Sequence, residues 1–152
     1  MGIEINVIYA TRKPWVPSRK HITRWVRAAF GPRRGAWELV VRVVGRAESH
    51  RLNHRYRHRN KATNVLSFPA TVRRADGQRQ LGDLVVCAPV VAGEAREQHK
   101  SRAAHWAHMI VHGTLHLLGY EHERSADAMR MERRERHILA ALDFPDPHEV
   151  TR

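Results

Sequence analysis

Short stretches rich in branched apolar residues occur four times in the first 90 residues, and one of them alternates with polar residues, which predicts β-strands. The predicted strands cover residues 3–9, 37–44, 64–68 and 81–86. A polar segment, 73–80, separates the last two strands and contains Asp76-Gly77, a pair typical of turns. The third and fourth strands are therefore predicted to form a hairpin.

Apolar residues at helical spacing predict five helices. The first follows Ser18, a residue type favoured at the N-cap, and ends near Gly31. The others are predicted at residues 47–55, 89–98, 103–118 and 125–142. Because the strands come mainly first and the helices mainly last, we predict an α+β fold. The prediction is one domain, residues 1–152, with a roughly four-stranded mixed sheet packed against about five helices.

The helix predicted at 103–118 has two contrasting faces. Its apolar stripe should pack on the sheet and consists of Trp106, Met109, Ile110 and Leu117. The opposite stripe carries histidines, which places them in a cleft near the C-terminus of the helix. Two small residues, Gly113 and Thr114, are expected to let a substrate approach that cleft closely.

His112 and His116 are four residues apart, so their side chains leave the same face of the helix on adjacent turns. Gly119 can take the left-handed conformation that ends a helix and turns the chain back. His122 follows within reach of the same point. Three imidazoles favour zinc, and a fourth position left open favours a catalytic ion over a structural one.

Other histidines compete for this role, since the chain contains 12 of them and several can be merely solvated or hydrogen-bonded. His105 and His108 also lie near the histidine face. However, His108 and His116 are two helical turns apart, about 12 Å along the axis. They cannot share one ion, and a set of 105, 108 and 112 fails for the same reason.

The formal net charge is +12, which favours encounter with polyanions such as nucleic acid. The alternative is that the chain comes from an arginine-rich proteome. The one cysteine, Cys87, lies in an apolar run and is expected to be buried. No apolar run is long enough to span a membrane and no signal peptide is visible, so we expect a cytoplasmic protein without membrane contact.

A zinc ion with three protein ligands can make hydroxide available near neutral pH, which predicts a hydrolase. The spacing of the three histidines also matches the metzincin proteases. Those enzymes have a glutamate general base directly after the first histidine, where this chain has Gly113. A peptidase is therefore a poor hypothesis.

The segment His105-Trp-Ala-His-Met-Ile-Val-His-Gly-Thr-Leu-His-Leu-Leu-Gly-Tyr-Glu-His122 closely resembles the signature of the YbeY family of bacterial rRNA-maturation endoribonucleases. Three further segments are similar and stand in the expected order: 52–69, 81–84 and 142–147. The resemblance covers most of the chain from Leu52 onward, whereas the first fifty residues match only in outline.

This resemblance implies a metal-dependent, single-strand-selective endoribonuclease in small-subunit rRNA 3′-end maturation and ribosome quality control. It implies one zinc ion per chain, with RNA, small-subunit rRNA and the ribosome as partners. The zinc ligands of the family correspond to His112, His116 and His122, of which we also count His112 and His116 as catalytic. The functional arginine of the family corresponds to Arg57.

Arg57 also suits the chemistry, because phosphodiester cleavage builds negative charge on oxygens that a guanidinium can bind in a fixed fork. The alternative is that Arg57 is one more solvated base in a basic run. With the adjoining family segment, we assign RNA binding to Arg55, Arg57, Arg59 and Lys61.

The chain departs from the family pattern at two positions. Glu121 replaces the usual aspartate before the last histidine, and Asn60 stands where an acidic residue is common. The general base is unassigned. Glu121 and His108 are candidate proton carriers, but Glu121 can equally orient a ligand and His108 can be a satisfied surface histidine.

Two interpretations from other classes stay open. In the first, the protein is a ribosome-binding assembly factor whose zinc is mainly structural. In the second, the site is a zinc hydrolase of another substrate, such as a peptide or a small phosphoester. The absent glutamate argues against the peptide, and the basic charge argues against a small neutral substrate.

Overall fold

The computed structural model describes residues 2–70 and 77–149. Every predicted strand and helix is present there, with bounds that shift by only one or two residues. The elements are, in order, β1 Gly2–Tyr9, α1 Arg19–Phe30, β2 Ala36–Val44, α2 Arg46–Arg57, β3 Val65–Pro69, β4 Arg79–Cys87, α3 Ala88–Glu97, α4 Arg102–Leu117 and α5 Ser125–Ala141. The first half of the predicted polar turn at 73–80, residues 73–76, lies outside the described residues.

The four strands form one sheet in the order β1-β2-β4-β3. β1, β2 and β4 are parallel, and β3 pairs antiparallel with β4 at the edge. Parallel neighbours need a crossover, which α1 supplies between β1 and β2. The predicted mixed sheet and its five helices are thus confirmed within the described residues.

The core lies mainly between the sheet and helices α1, α4 and α5. All four residues of the predicted apolar stripe of α4 are buried, as expected: Trp106, Met109, Ile110 and Leu117. α2 lies on a smaller second cluster, in which Leu52 packs near Leu66 and Cys87. Cys87 is fully buried, as predicted. No helix among the described residues has the length and apolar character needed to cross a membrane.

The small residues of α4 serve the packing of the helix and not the approach of a substrate. A Cβ on Gly113 would lie 2.8 Å from the Leu84 side chain and 3.3 Å from that of Val65. Thr114 is fully buried and donates its hydroxyl to the Ile110 carbonyl at 2.7 Å. The expectation that these two residues open the cleft is wrong, because Gly113 packs on two strand side chains and Thr114 is buried.

Candidate metal centre and its cleft

The last two turns of α4 carry His112 and His116 on one side. The N-terminus of the helix is fixed by Ser101, whose hydroxyl accepts a hydrogen bond from the Ala104 amide. The two histidine rings are 4.6 Å apart between centroids, and their Nε2 atoms are 3.1 Å apart. Both Nε2 atoms therefore point toward one place.

The chain reverses directly after α4 and brings His122 to the same place. Gly119 has φ +99°, a left-handed conformation that residues with a Cβ rarely adopt. The Tyr120 amide donates to the Leu115 carbonyl at 3.0 Å, which closes the turn. The His122 ring then lies 4.7 Å from that of His116 and 5.8 Å from that of His112. One ligand atom from each histidine lies within 4.8 Å of the other two.

Hydrogen bonds fix the tautomers of both helical histidines. His112 donates Nδ1–H to Glu135 Oε1 at 2.6 Å, and His116 donates Nδ1–H to the Tyr120 carbonyl at 2.9 Å. In the neutral rings each Nε2 then carries a lone pair. Two such nitrogens cannot hydrogen-bond to each other, and their 3.1 Å separation suits two ligands that share one ion.

The electrostatics of the cluster support neutral ligands next to a charged carboxylate. Burial and the neighbouring His112 and His122 lower the pKa of His116 to about 4, so this ring is neutral at pH 7. Burial alone would raise the pKa of the Glu135 carboxyl. Hydrogen bonds from His108 and His112 outweigh that effect and hold this pKa well below its usual range.

The three histidines therefore fit a zinc ion in donor type and proximity, and His116 fits it in protonation as well. Neutral imidazole is a preferred zinc ligand, and ligand nitrogens about 2.0–2.1 Å from one ion would be separated by distances close to the one observed here. The hydrogen bonds to Glu135 and Tyr120 are the supporting contacts that zinc-binding histidines usually have.

The cluster faces a cleft of about 500 Å³. One wall comes from the end of α4 and the loop after it, and the other from α2 and β3. Its lining residues are Arg57, Asn64, Val65, Leu66, Ser67, Pro69, His112, His116, Tyr120, Glu121, His122 and Glu123. The Ser67 hydroxyl donates to the Gly113 carbonyl at 3.2 Å and so ties the two walls together.

Arg57 is the last residue of α2 and reaches this cleft from the wall opposite the histidines. Its Nη2 donates to the Ser67 carbonyl at 2.8 Å, and its guanidinium lies 5.1 Å from the centre of the Phe68 ring. These contacts hold the cation at the edge of the sheet. The structure thus brings together Arg57, Glu121 and the three predicted metal ligands.

The other predicted RNA-binding residues do not line the cleft. Arg55, Arg59 and Lys61 are exposed around the end of α2. The Lys61 carbonyl accepts a hydrogen bond from the Asn53 side chain at 2.9 Å, which anchors the loop that carries Lys61. Asn60, one of the departures from the family pattern, contacts His50 Nε2 through Oδ1 at 2.6 Å. Binding of RNA by this basic segment stays a prediction.

The two candidate proton carriers occupy different places. Glu121 is exposed and lines the cleft, but the carboxylate that supports a ligand is Glu135. His108 is not a surface histidine, because its side chain is only 12% exposed and donates to Glu135 Oε2 at 3.0 Å. Burial lowers the pKa of His108. Its position favours a supporting role over direct contact with a substrate.

Two residues that were not predicted from the sequence complete the support of His112. Glu135 is 1% exposed and lies on the buried stripe of α5 with Met131, Ile138 and Leu139. His148 donates to Glu135 Oε2 at 3.0 Å from the segment after α5. An acidic residue at a helical core position was a signal that could have identified Glu135, whereas nothing in the pattern pointed to His148.

A second polar network supports the other side of the cleft. Asn64, a lining residue, donates to Glu94 Oε1 at 3.0 Å, and His105 Nε2 contacts the same oxygen at 2.9 Å. Burial would raise the pKa of Glu94, but these hydrogen bonds lower it overall. His105 therefore belongs to this network and is separate from the three-histidine cluster.

Replacing Glu135 by glutamine is expected to weaken zinc binding about 10- to 100-fold, the usual effect of losing a carboxylate behind a zinc-binding histidine. In the wild type, His108, His112 and His148 donate to the two carboxylate oxygens of Glu135. The glutamine amide keeps the shape but replaces one of these acceptors by an N–H donor. Competition with a chromophoric chelator measures the affinity. Glu97→Gln, an exposed substitution on α3, is the control and should bind like wild type. Equal affinities for both variants would contradict the role of Glu135.

Comparison with known proteins agrees with the geometry. A family model described as Endoribonuclease YbeY matches residues 11–143. A protein of Nitrosococcus oceani named Endoribonuclease YbeY is 48% identical over 151 residues, covering 98% of this chain and 99% of its own. The protein of the same name from Halorhodospira halophila is 54% identical over 136 residues, covering 88% of each chain.

A solved structure supports the fold. The solution structure of TM1509 from Thermotoga maritima matches with a TM-score of 0.55, covering 96% of this chain and 99% of that one. Its sequence is 20% identical, so it bears on the fold alone. The family match over most of the length and the relatives near 50% identity show that the chain belongs to the YbeY family.

Proposed function

We propose that this protein is a zinc-dependent endoribonuclease that hydrolyses phosphodiester bonds of single-stranded RNA. The observation that carries the proposal is the position of Arg57, which faces the same cleft as His112, His116 and His122. A cation for phosphate and three ligands for a metal ion thus meet in one place. Similar proteins named Endoribonuclease YbeY support the same reaction.

In this reaction a water oxygen attacks phosphorus and the bond to the leaving ribose oxygen breaks, while negative charge grows on the phosphoryl oxygens. His112, His116 and His122 would hold the zinc ion. When bound, zinc supplies Lewis-acid chemistry and lowers the pKa of water. Arg57 donates two N–H groups to the Tyr56 and Ser67 carbonyls, and its remaining N–H groups can bind the phosphoryl oxygens.

The wider proposal concerns the substrate and its location. We propose that the substrate is small-subunit rRNA near its 3′ end, met on the ribosome in the cytoplasm, and that residues 1–152 act as one domain. The net charge of +12 supports a polyanionic partner. The exposed basic residues Arg55, Arg59 and Lys61 adjoin the cleft and support a path for the RNA backbone.

A comparison of single-stranded RNA with the same strand in a duplex tests the proposal. A cleft of about 500 Å³ has the size of a small-ligand pocket, so we expect it to take the backbone of one strand. The zinc-loaded protein is therefore expected to cleave the single strand at least about tenfold faster, because unpairing costs a few kcal/mol. Gel electrophoresis of end-labelled RNA measures both rates. Equal rates on both substrates, or full cleavage by zinc-free protein, would refute this function.

A further inference from the structure

Tyr56 is unusual among the large apolar side chains of the protein. Within the described residues, only Ile8, Tyr56 and Met129 of this class are exposed, at 45%, 48% and 62%. Tyr56 alone of these is aromatic, and it directly precedes Arg57 of the cleft. A single exposed apolar side chain needs no explanation by itself, so the case for Tyr56 rests on what surrounds its ring.

The Tyr56 ring is held in place by its neighbours. It contacts the Phe68 ring edge to face, at 5.4 Å between centroids and 72° between planes. Phe68 belongs to edge strand β3 and packs against the smaller core cluster, which gives the pair a firm base. The rest of the exposed tyrosine ring is shared with the exposed Arg55 side chain. The Arg55 guanidinium lies 5.3 Å from the centre of the Tyr56 ring.

Arg57 links this aromatic pair to the cleft. Its guanidinium lies 5.1 Å from the centre of the Phe68 ring while the same side chain lines the cleft with the histidines. Phe68 in turn contacts the exposed Tyr56 ring, so Phe68 connects Tyr56 to the guanidinium that would hold a phosphate. In single-stranded RNA each phosphate adjoins two bases, and a base that is not paired can leave its neighbours and stack on a protein ring.

We propose that Tyr56, supported by Phe68, is a stacking platform for one base next to the phosphate that Arg57 binds. Arg55 completes this subsite, because a guanidinium plane also stacks on bases. The inference rests on the proposed function and adds the recognition of a base to it. It also gives single-strand selectivity a structural origin, since a base held in a duplex cannot reach the ring.

An abasic scan tests the platform directly. A short uridine-rich RNA is made in versions that each lack one base, and affinity for the zinc-loaded protein is measured by fluorescence anisotropy in the cold. We expect wild type to lose about 5- to 100-fold in affinity at one position and little elsewhere, the range for one stacked base. Tyr56→Ala should bind the intact RNA more weakly by a similar factor, and removing the base at that position should then change its affinity little. Tyr56→Phe keeps the ring and should again lose affinity when that base is removed.

Matched measurements separate the outcomes. Met129→Ala removes another exposed apolar side chain and should show the wild-type scan. Zinc content shows that each variant is folded. A flat scan in wild type, or a position equally sensitive in Tyr56→Ala, would overturn the platform even where the RNA is cleaved. A position that depends on Tyr56 in RNA that is never cleaved would uphold the platform and refute the proposed nuclease.

Discussion

The protein with His116→Ala is expected to lose both its zinc and its cleavage of RNA. His116 sits between the two other ligands, with ring centroids 4.6 Å from His112 and 4.7 Å from His122. Its removal leaves two imidazoles, which is too few for the three-ligand sites of catalytic zinc. We expect less than about a tenth of the wild-type metal to remain after dialysis, because each ligand contributes strongly to affinity.

The measurement is zinc per chain by mass spectrometry, together with cleavage of single-stranded RNA by the same samples. His137→Ala is the matched control, since His137 is exposed on α5 and belongs neither to the three-histidine cluster nor to the group of His108, Glu135 and His148. It should keep wild-type zinc and cleavage. If zinc-free His116→Ala protein still cut RNA at the normal rate, the metallonuclease would be excluded.

The three-histidine cluster is predictable from the sequence because helix geometry relates its members to one another. The spacing of His112 and His116 specifies one helical face, and Gly119 specifies where that helix ends. These are local relations, so they can be read from consecutive residues. The hydrophobic periodicity that locates the strands and helices is local in the same sense.

The support of the ligands is not predictable in this way. Glu135 reaches His112 from 23 positions away, and His148 reaches Glu135 from beyond the end of α5. Only the packing of α5 on α4 brings these groups together. Gly113 shows the opposite error, since its small size suggests access to the site when it actually permits close packing on Leu84. Residues in tertiary contact have no characteristic separation in the sequence, so these contacts cannot be predicted from spacing.

The place of Arg57 shows how sequence and structure combine. The chemistry of phosphate binding is compatible with any of several neighbouring bases, and the family resemblance selects Arg57. The structure shows how Arg57 differs from the other predicted RNA-binding residues. Arg57 alone of these lines the cleft, where its side chain donates to the Ser67 carbonyl. Arg57 reaches the cleft because β3 packs beside α4, and this tertiary contact cannot be read from a local sequence pattern.

Arg57→Ala is expected to reduce kcat for RNA cleavage about 100- to 1000-fold while leaving zinc content unchanged. This is the usual effect of removing one donor that stabilises charge in a transition state. Since that charge grows only during the reaction, kcat should fall more than KM rises. Arg57→Lys keeps the charge but not the planar fork and should recover only part of the rate. Arg24→Ala, an exposed arginine on α1, is the control and should match wild type.

The same variant separates the nuclease from its two alternatives. If the protein were chiefly a ribosome-binding assembly factor with a structural zinc, Arg57→Ala would keep ribosome association and support growth in full. If the substrate were a small phosphoester, the duplex or single-stranded state of RNA would be irrelevant to the loss. The position of Arg57 in one cleft with three potential metal ligands favours a third result, in which zinc and fold persist while RNA cleavage collapses. Full growth without cleavage would favour the assembly factor.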